Sequence, residues 1–327
     1  MKEEDLTKLK KHFAGFHIGL REFAKFIDND CQGDLNVTDL ELKTVKIPGR
    51  SNPVTVWPEE LHELKRFNGN LTLNNAKRLY NLPHYIRRFD KDVVLIYCAD
   101  LEQLPVNLEY IGGKLRLQNT SIRYLPENLK YIGGDLEFNI QSLYVQDTSL
   151  TRNLPNNLTI EGSFKCFHGL NVNTPPNNLK VKQNFICRGG GPMFVSLPDD
   201  IEIGGEIDLQ DSTHFKEFPS HITHVNGHLN LTNTNIEKLP DNLYVDGSLV
   251  ICEANIKVFP KNLKVKGNIK AFSTHIKLDA TCIPYYIEIG GIFEHYAITD
   301  KQFKEYMVEL KKWKDLEQKL PELEGIF

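Results

Sequence analysis

The amino-acid sequence predicts an α/β solenoid of about twelve stacked, parallel-stranded coils, closed at each end by a helix. Three observations predict it. A motif of about 21 residues recurs along most of the chain. Each copy contains a short L-x-L alternation, the period-2 signature of a strand with one buried face. At both ends of the chain the apolar residues fall at helical spacing instead. The expected organisation is a cap helix over residues 1–32, a solenoid over 33–298 and a second cap over 299–327.

The first element is the N-terminal cap. Leu6, Leu9, Phe13, Phe16, Leu20, Phe23 and Ile27 are spaced alternately three and four residues apart, and the pattern stops at Asp28-Asn29-Asp30. That is one apolar stripe on a helix, suited to cover the exposed end of a stacked core. The same spacing also permits a coiled-coil partner.

The repeats come next. LPVNLEYIGGKLRLQNTSIRY from Leu104, FPSHITHVNGHLNLTNTNIEK from Phe218 and LPDNLYVDGSLVICEANIKV from Leu239 share the pattern L-P-x-x-L-x-V-x-G-x-L-x-L-x-x-T-x-I. The glycine ahead of the L-x-L anchors the copies at Gly69, Gly113, Gly134, Gly162, Gly205, Gly227, Gly247, Gly267 and Gly291. Lys91 and Gln183 fill that position in two further copies, and Gly33 starts a weaker one. The glycine suits either a left-handed turn or close packing between coils. The Thr and Ile after the strand turn the corner, and Leu-Pro starts an extended return, because proline disfavours the helical region for the residue before it. A single coil cannot bury its apolar face; coils stacked at about 4.8 Å can.

The last element is the C-terminal cap. Thr299 and Gln302 have the spacing of a capping box. Phe303, Met307, Leu310 and Trp313 then form one helical stripe with Lys and Glu opposite. A dimerisation or docking helix is the alternative, so the chain is expected to be a monomer or a helix-mediated dimer.

The repeat resembles a leucine-rich repeat in its length, its L-x-L strand and its Leu-Pro return. It is most similar to the short bacterial type found in the recognition domains of type III secreted effectors, and to V-x-G-x-L-x-L arrays of bacterial and phage chains. The resemblance covers about 80% of the sequence. It implies a parallel-stranded horseshoe or slab. It departs from the family where Thr, Ala or Ser replaces the usual Asn after the strand, which leaves an asparagine ladder incomplete unless Thr hydroxyls substitute. The effector ligases with similar repeats carry a large helical domain with a nucleophilic Cys. About 30 residues follow these repeats, without a Cys, so that activity is not carried over.

Composition narrows the function. The chain has 327 residues, 40% hydrophobic and 25% charged, with a net charge of −4. That is too apolar for a disordered chain and too acidic for sequence-blind coating of nucleic acid. No apolar run approaches the ~18 residues of a membrane span. The acidic start MKEEDLTKLKK is not a secretory signal. Cys31, Cys98, Cys166, Cys187, Cys252 and Cys282 are widely spread without a CxxC pair and read as reduced thiols in the core. The expected location is cytoplasmic, with delivery into a host cell as the alternative.

Chemical motifs are sparse. Gly189-Gly190-Gly191-Pro192 lacks the following Lys-Ser/Thr of a nucleotide loop and reads as a surface loop, or as a ligand rim with Met193 and Phe194 as contacts. His214, His221, His224 and His228 lie close in sequence but point in different directions on a coil, unlike a zinc site. No G-x-S-x-G or H-E-x-x-H is present. The expectation is no catalysis, no metal and no cofactor.

What remains is the concave strand face. Its outward positions are Lys114, Arg116 and Gln118; Asp135 and Glu137; Lys165 and Phe167; Ile186 and Arg188; Glu206 and Asp208; His228 and Asn230; and Lys270 and Phe272. Charge alternates in blocks along them, which suits an equally patterned protein. Phe167, Ile186, Val250 and Phe272 are apolar where solvent is expected, as interface anchors often are. Two insertions, over 139–155 and 188–197, could frame a site near Lys165, Phe167 and Arg188. The leading expectation is a non-catalytic scaffold binding a partner protein through this face. The resemblance adds the use as a phage or bacterial inhibitor or adaptor of a host protein. The alternatives are a secreted effector-type recognition module, and a small-ligand sensor or enzyme with its site at the insertions.

Overall fold

A computed structural model describes residues 20–48, 53–122, 124–139, 151–152, 154–167, 171–172 and 175–324. The chain divides into two compact units, Met1–Asn184 with Asp200–Glu202, and Phe185–Asp199 with Ile203–Phe327.

The first unit begins with helix α1 (Leu20–Asp28). Six parallel strands follow: β1 (Leu35–Thr38), β2 (Leu71–Asn74), β3 (Val93–Ile96), β4 (Leu115–Gln118), β5 (Leu136–Asn139) and β6 (Phe164–Phe167). Each pairs in register with the next. A second parallel ladder of two-residue strands runs beside it, from Arg66–Phe67 to Lys180–Val181. The second unit repeats the plan with β7 (Phe185–Arg188), β8 (Ile207–Asp208), β9 (Leu229–Asn230), β10 (Leu249–Val250), β11 (Ile269–Lys270) and β12 (Phe293–Glu294). Its flanking ladder runs from His224–Val225 to Glu288–Ile289, and helix α2 (Asp300–Glu324) ends it.

Both units are therefore parallel β-solenoids. After the long first step from β1 to β2, successive paired strands within a unit lie 20 to 28 residues apart, which makes about nine turns. Two α-helices occur among the described residues, both at chain ends, and the returns are extended apart from one 3₁₀ turn at Glu59–Leu61.

The alternation explains the core. The first and third residues of the four-residue strands point inward: Leu71 and Leu73, Leu115 and Leu117, Phe164 and Cys166, Phe185 and Cys187 are all buried. The flanking strands bury their second residue, from Phe67, Phe89 and Ile111 to Val225, Val245 and Val265. All six cysteines are free thiols, four of them buried. Burial pushes the Cys98 thiol up to about 11.

Apart from Gly33, whose φ is +91°, the anchor glycines have no left-handed turn, and close approach is what Gly247 shows. A Cβ on Gly247 would lie 2.7 Å from the Gly227 carbonyl, and its φ is not positive. Its N–H donates to that carbonyl at 2.7 Å, and Gly267 and Gly291 continue the ladder. The left-handed residue is instead the one four positions after the first residue of the strand: Asp39, Asn75, Tyr97 and Asn119 in the first unit, Gly189, Asp211, Asn233, Glu253 and Ser273 in the second, with φ from 51° to 66°. There the N–H can reach the next coil's carbonyl, as Tyr97 does to Gln118 and Glu253 to Phe272.

The expected substitution of Thr for the asparagine ladder does not occur at Thr234 and Thr274. Their hydroxyls donate 2.8 Å to the Leu231 and Ala271 carbonyls of their own coils. Asparagine links coils at the Leu-Pro return instead, Asn178 to Asn157 and Asn262 to Asn242, at 2.9 Å each.

The caps are aromatic. Phe23 and Phe26 of α1 are buried, and Phe26 stacks on Phe67 at 5.0 Å. The earlier part of that expected helix, Leu6 to Phe16, lies outside the described residues. At the other end the capping box forms, with the Thr299 N–H donating to Gln302 Oε1 at 2.9 Å and the Gln302 N–H to Thr299 Oγ1 at 3.3 Å. Phe303 stacks flat on Phe293, centroids 4.1 Å apart. The expected four-residue stripe is only partly used: Phe303 and Met307 are buried, Leu310 is half-buried, and Trp313 is 67% exposed.

His295 sits beside this cap. Its Nδ1 accepts the Ala297 N–H at 3.1 Å, while Nε2 is buried without a hydrogen bond. Burial holds the imidazole below its usual value of 6.5, with the Thr274 backbone pulling the other way. Above that pH the ring is neutral whether the chain is folded or unfolded. Below it the unfolded chain binds the proton first, so stability falls as pH falls through 6.5 toward the lower folded value. Urea titrations at neutral and mildly acidic pH should show wild type losing stability relative to His295→Phe on acidification. A difference between them independent of pH would contradict the burial argument.

Candidate binding surface

The strand faces carry the expected positions, and their charges are engaged within the sheet. In the first unit Arg116, Glu137 and Lys165 lie in one cross-strand row on β4, β5 and β6. Arg116 Nε is 3.3 Å from Glu137 Oε2, and Lys165 Nζ lies 3.6 Å from Glu137 Oε1 and 2.5 Å from Asp135 Oδ2. Lys114 pairs with Asp92 at 3.4 Å. Arg116 also donates to Gln118, whose side chain is buried. Burial pushes Asp135 up, but the Lys165 ammonium and the Ser163 N–H hold its carboxyl below the ordinary range.

The second unit repeats this. Arg188 donates twice to Asp208 Oδ2, at 2.8 and 2.6 Å, and Asp208 Oδ1 accepts the Gln210 N–H; Asp208 is only 6% exposed. Lys270 pairs with Glu294 at 3.5 Å. Asn230 accepts from its neighbour Thr232, through both N–H and hydroxyl. The alternating charge blocks are thus largely ion pairs between neighbouring coils. Where both partners are exposed, as in Lys114–Asp92, such a pair contributes little stability, roughly 0–1 kcal/mol.

The polar residue just before each strand also has a structural task. Asp34, Asp92 and Asp135 accept the N–H of the matching residue one coil on, at 2.7 to 2.9 Å. In the second unit His228 accepts from Ser248, Ser248 from Asn268 and Asn268 from Ile292, at 2.9 to 3.1 Å. Glu206, half-buried, occupies the same row. This ladder was not foreseen; its signal is a D, N, S or H immediately after the glycine position in most copies.

Once the pairs are set aside, the apolar positions stand out. Phe167 in the first unit, and Ile186, Val250 and Phe272 in the second, are half-buried. Phe272 packs against Tyr296 with centroids 4.9 Å apart, and Tyr296 is 79% exposed. Ile292, 46% exposed, stands on the same face of β12. Sequence reasoning missed Ile292 and Tyr296, although they alternate with Phe293 in GGIFEHY.

The insertions fare differently. Residues 140–150 and 153 of the first lie outside the described residues. The second is a packed corner: Gly190 donates to Ser212 Oγ, and Phe194 is fully buried against Phe215 at 5.2 Å. Phe194 is therefore core and not a rim contact, while Met193 is 54% exposed. Lys165 and Phe167 belong to the first unit and Arg188 to the second. Open clefts of about 800 and 820 Å³ lie along the Leu-Pro returns, one beside Tyr80, Val106 and Tyr124, the other beside Pro198, Lys216 and Glu237.

The histidines do not converge. His224 bonds Asp246 at 2.7 Å, His228 serves the backbone ladder, and His214 and His221 are exposed. Among the described residues no group of three or more His, Cys, Asp or Glu side chains is placed to hold a metal ion, and no helix is long and apolar enough to cross a membrane. No family model, no curated protein and no solved structure matches the chain.

Proposed function

We infer that the protein is a non-catalytic scaffold that binds a partner protein through its strand face, built as twelve leucine-rich-repeat-like coils of the short bacterial type. The observation that carries this reading is the apolar group at the last coils of the second unit. Phe272, Tyr296 and Ile292 expose aromatic and aliphatic surface on a sheet whose charges are already paired. Exposed aromatic residues inside a polar surround are the usual anchors of protein interfaces. The internal pairing also gives the partner a role: it meets a nearly neutral surface, so association should depend weakly on salt. A phage or bacterial inhibitor or adaptor is the use the repeat's resemblance favours, in the cytoplasm of the cell where the partner resides.

The test is a photo-crosslinker placed at Ile292 and exposed to native host lysate, with Phe272→Ser/Tyr296→Ser in the same crosslinker-bearing chain as the comparison variant. The expected result is one crosslinked protein of defined mass, lost at least tenfold in the double variant, with an unchanged melting temperature. Capture that is equal in both would place the binding surface elsewhere.

A further inference from the structure

We propose that the flanking ladder of the first unit carries a docking slot for an arginine side chain of a partner protein, between the open face of the Tyr131 ring and the Glu161 carboxylate.

The ladder holds its own template for such a site. Arg88, Tyr110, Tyr131 and Thr159 form one outward row across four successive coils. The Arg88 guanidinium lies 3.7 Å over the Tyr110 ring. Its Nε donates at 2.6 Å to Asp90 Oδ1, two residues along the same coil. Tyr110 and Tyr131 stack with centroids 4.9 Å apart and planes 9° from parallel. Gly112 and Gly133 make room for the rings: a Cβ on each would lie 3.2 and 3.3 Å from a ring carbon of Tyr110 and Tyr131. Carboxylate-held cation, ring and ring thus follow one another at coil spacing.

The other end of the stack has the same parts except the cation. Among the described residues no ring or cation stacks on the far face of Tyr131. Thr159 holds the place there that Arg88 holds at the near end, and it is too short to cover the ring. Glu161 stands two residues past Thr159, as Asp90 stands two past Arg88, and its N–H donates to the Ile132 carbonyl at 2.9 Å, which keeps it in ladder register. Asp90 is shared by Arg66 and Arg88, whereas the Glu161 side chain is exposed and has no ion pair among the described residues. Burial, and after it the Glu161 charge, holds the Tyr131 phenol above its ordinary range, so the carboxylate is within electrostatic reach of the ring. Lys180, next in the row, is engaged by Glu202 at 2.6 Å, and Lys182 by the same carboxylate at 3.8 Å. Two coil steps, about 9.6 Å, separate the Tyr131 and Lys180 positions. A planar group lying on Tyr131 as Arg88 lies on Tyr110 fits within that interval.

Chemistry selects the occupant. A guanidinium lies flat on an aromatic face and at the same time directs N–H donors to a carboxylate. Thr159 Oγ1 offers one more acceptor. A neutral ring would leave Glu161 without a counter-charge, an anion would be repelled by it, and an ammonium has no plane to lay on the ring. One exposed contact of this kind is weak by itself, so it serves as one anchor within a larger protein contact, where arginine is enriched.

The test is a titration of the full chain, carrying fluorine on the Tyr131 ring, with N-acetyl-arginine amide into the high millimolar range. The expected result is a saturable shift of the fluorine resonance, with N-acetyl-lysine amide bound at least threefold more weakly. Glu161→Gln, isosteric and exposed, should weaken the arginine probe at least threefold with an unchanged melting temperature. Thr159→Arg should move the resonance in the same direction as the probe and abolish the response to it, because the new side chain fills the slot. No saturable shift overturns the proposal. So does equal binding of the lysine probe, a response indifferent to Glu161→Gln, or one that survives Thr159→Arg. The slot lies in the first unit and Ile292 in the second, so crosslinking at Ile292 tests the strand-face reading separately.

Discussion

Gly247→Ala should destabilise the second unit by roughly 2–3 kcal/mol, the upper part of the usual range for overpacking. The new Cβ would sit 2.7 Å from the Gly227 carbonyl and from His228 Nδ1. Neither can retreat cheaply. The carbonyl accepts the Gly247 N–H, and the imidazole accepts the Ser248 N–H. Relief would have to spread the coils, which are held at ladder spacing on both sides. Gly247→Val should be worse. Urea unfolding would show a lower midpoint with an unchanged slope. Gly33→Ala is the informative comparison, because its Cβ has open space, with Asn29 at 3.9 Å, but its φ is +91°. It should cost about 1 kcal/mol from backbone conformation alone. If the two changes cost the same, close approach between coils is not what Gly247 provides.

Phe303→Ala should cost about 3–5 kcal/mol, as expected for a large aromatic truncated in a core. Phe303 is fully buried and lies 4.1 Å from Phe293, the inward residue of the last strand. Its loss opens the end of the stack, where there is no further coil to cover Phe293. The cap also supplies Asp300, whose carboxylate accepts the Phe293 N–H at 2.9 Å. Amide exchange should therefore accelerate first at β12 and in the first turns of α2. Val308→Ala, on the exposed side of the same helix, should change stability by less than about 0.5 kcal/mol. Equal losses from both would mean that the helix is not a cap.

Much of the fold was legible because the repeat states it many times. Period-2 alternation placed the strands from β2 to β12 and their inward residues, down to Cys166 and Cys187 as core thiols. Helical spacing anticipated the helices at Leu20–Asp28 and Asp300–Glu324. What spacing left open shares a cause. Of the two roles open to the glycine, Gly247 takes close packing, and the left-handed turn falls four positions past the strand's first residue, where Tyr97 and Glu253 adopt it without any glycine to announce it. The pairing of the strand-face charges was not legible because the groups they pair with are 20 or more residues away, as with Arg188 and Asp208 or Lys165 and Asp135. Phe194 looked like a loop residue until the corner closed over it.

The sequence by itself determined the period, the strand alternation and the buried rows, because these depend on spacing that is local and repeated. Only the tertiary structure decided which polar side chains are already engaged and which apolar ones remain open. Stacking sets residues 20 to 28 positions apart within hydrogen-bonding distance of one another. Whether Lys165 meets an aspartate or a solvent-filled gap is fixed by the coil beside it. The same is true of Trp313: its place on the stripe follows from helical spacing, but its exposure follows from where the core of the last coil ends.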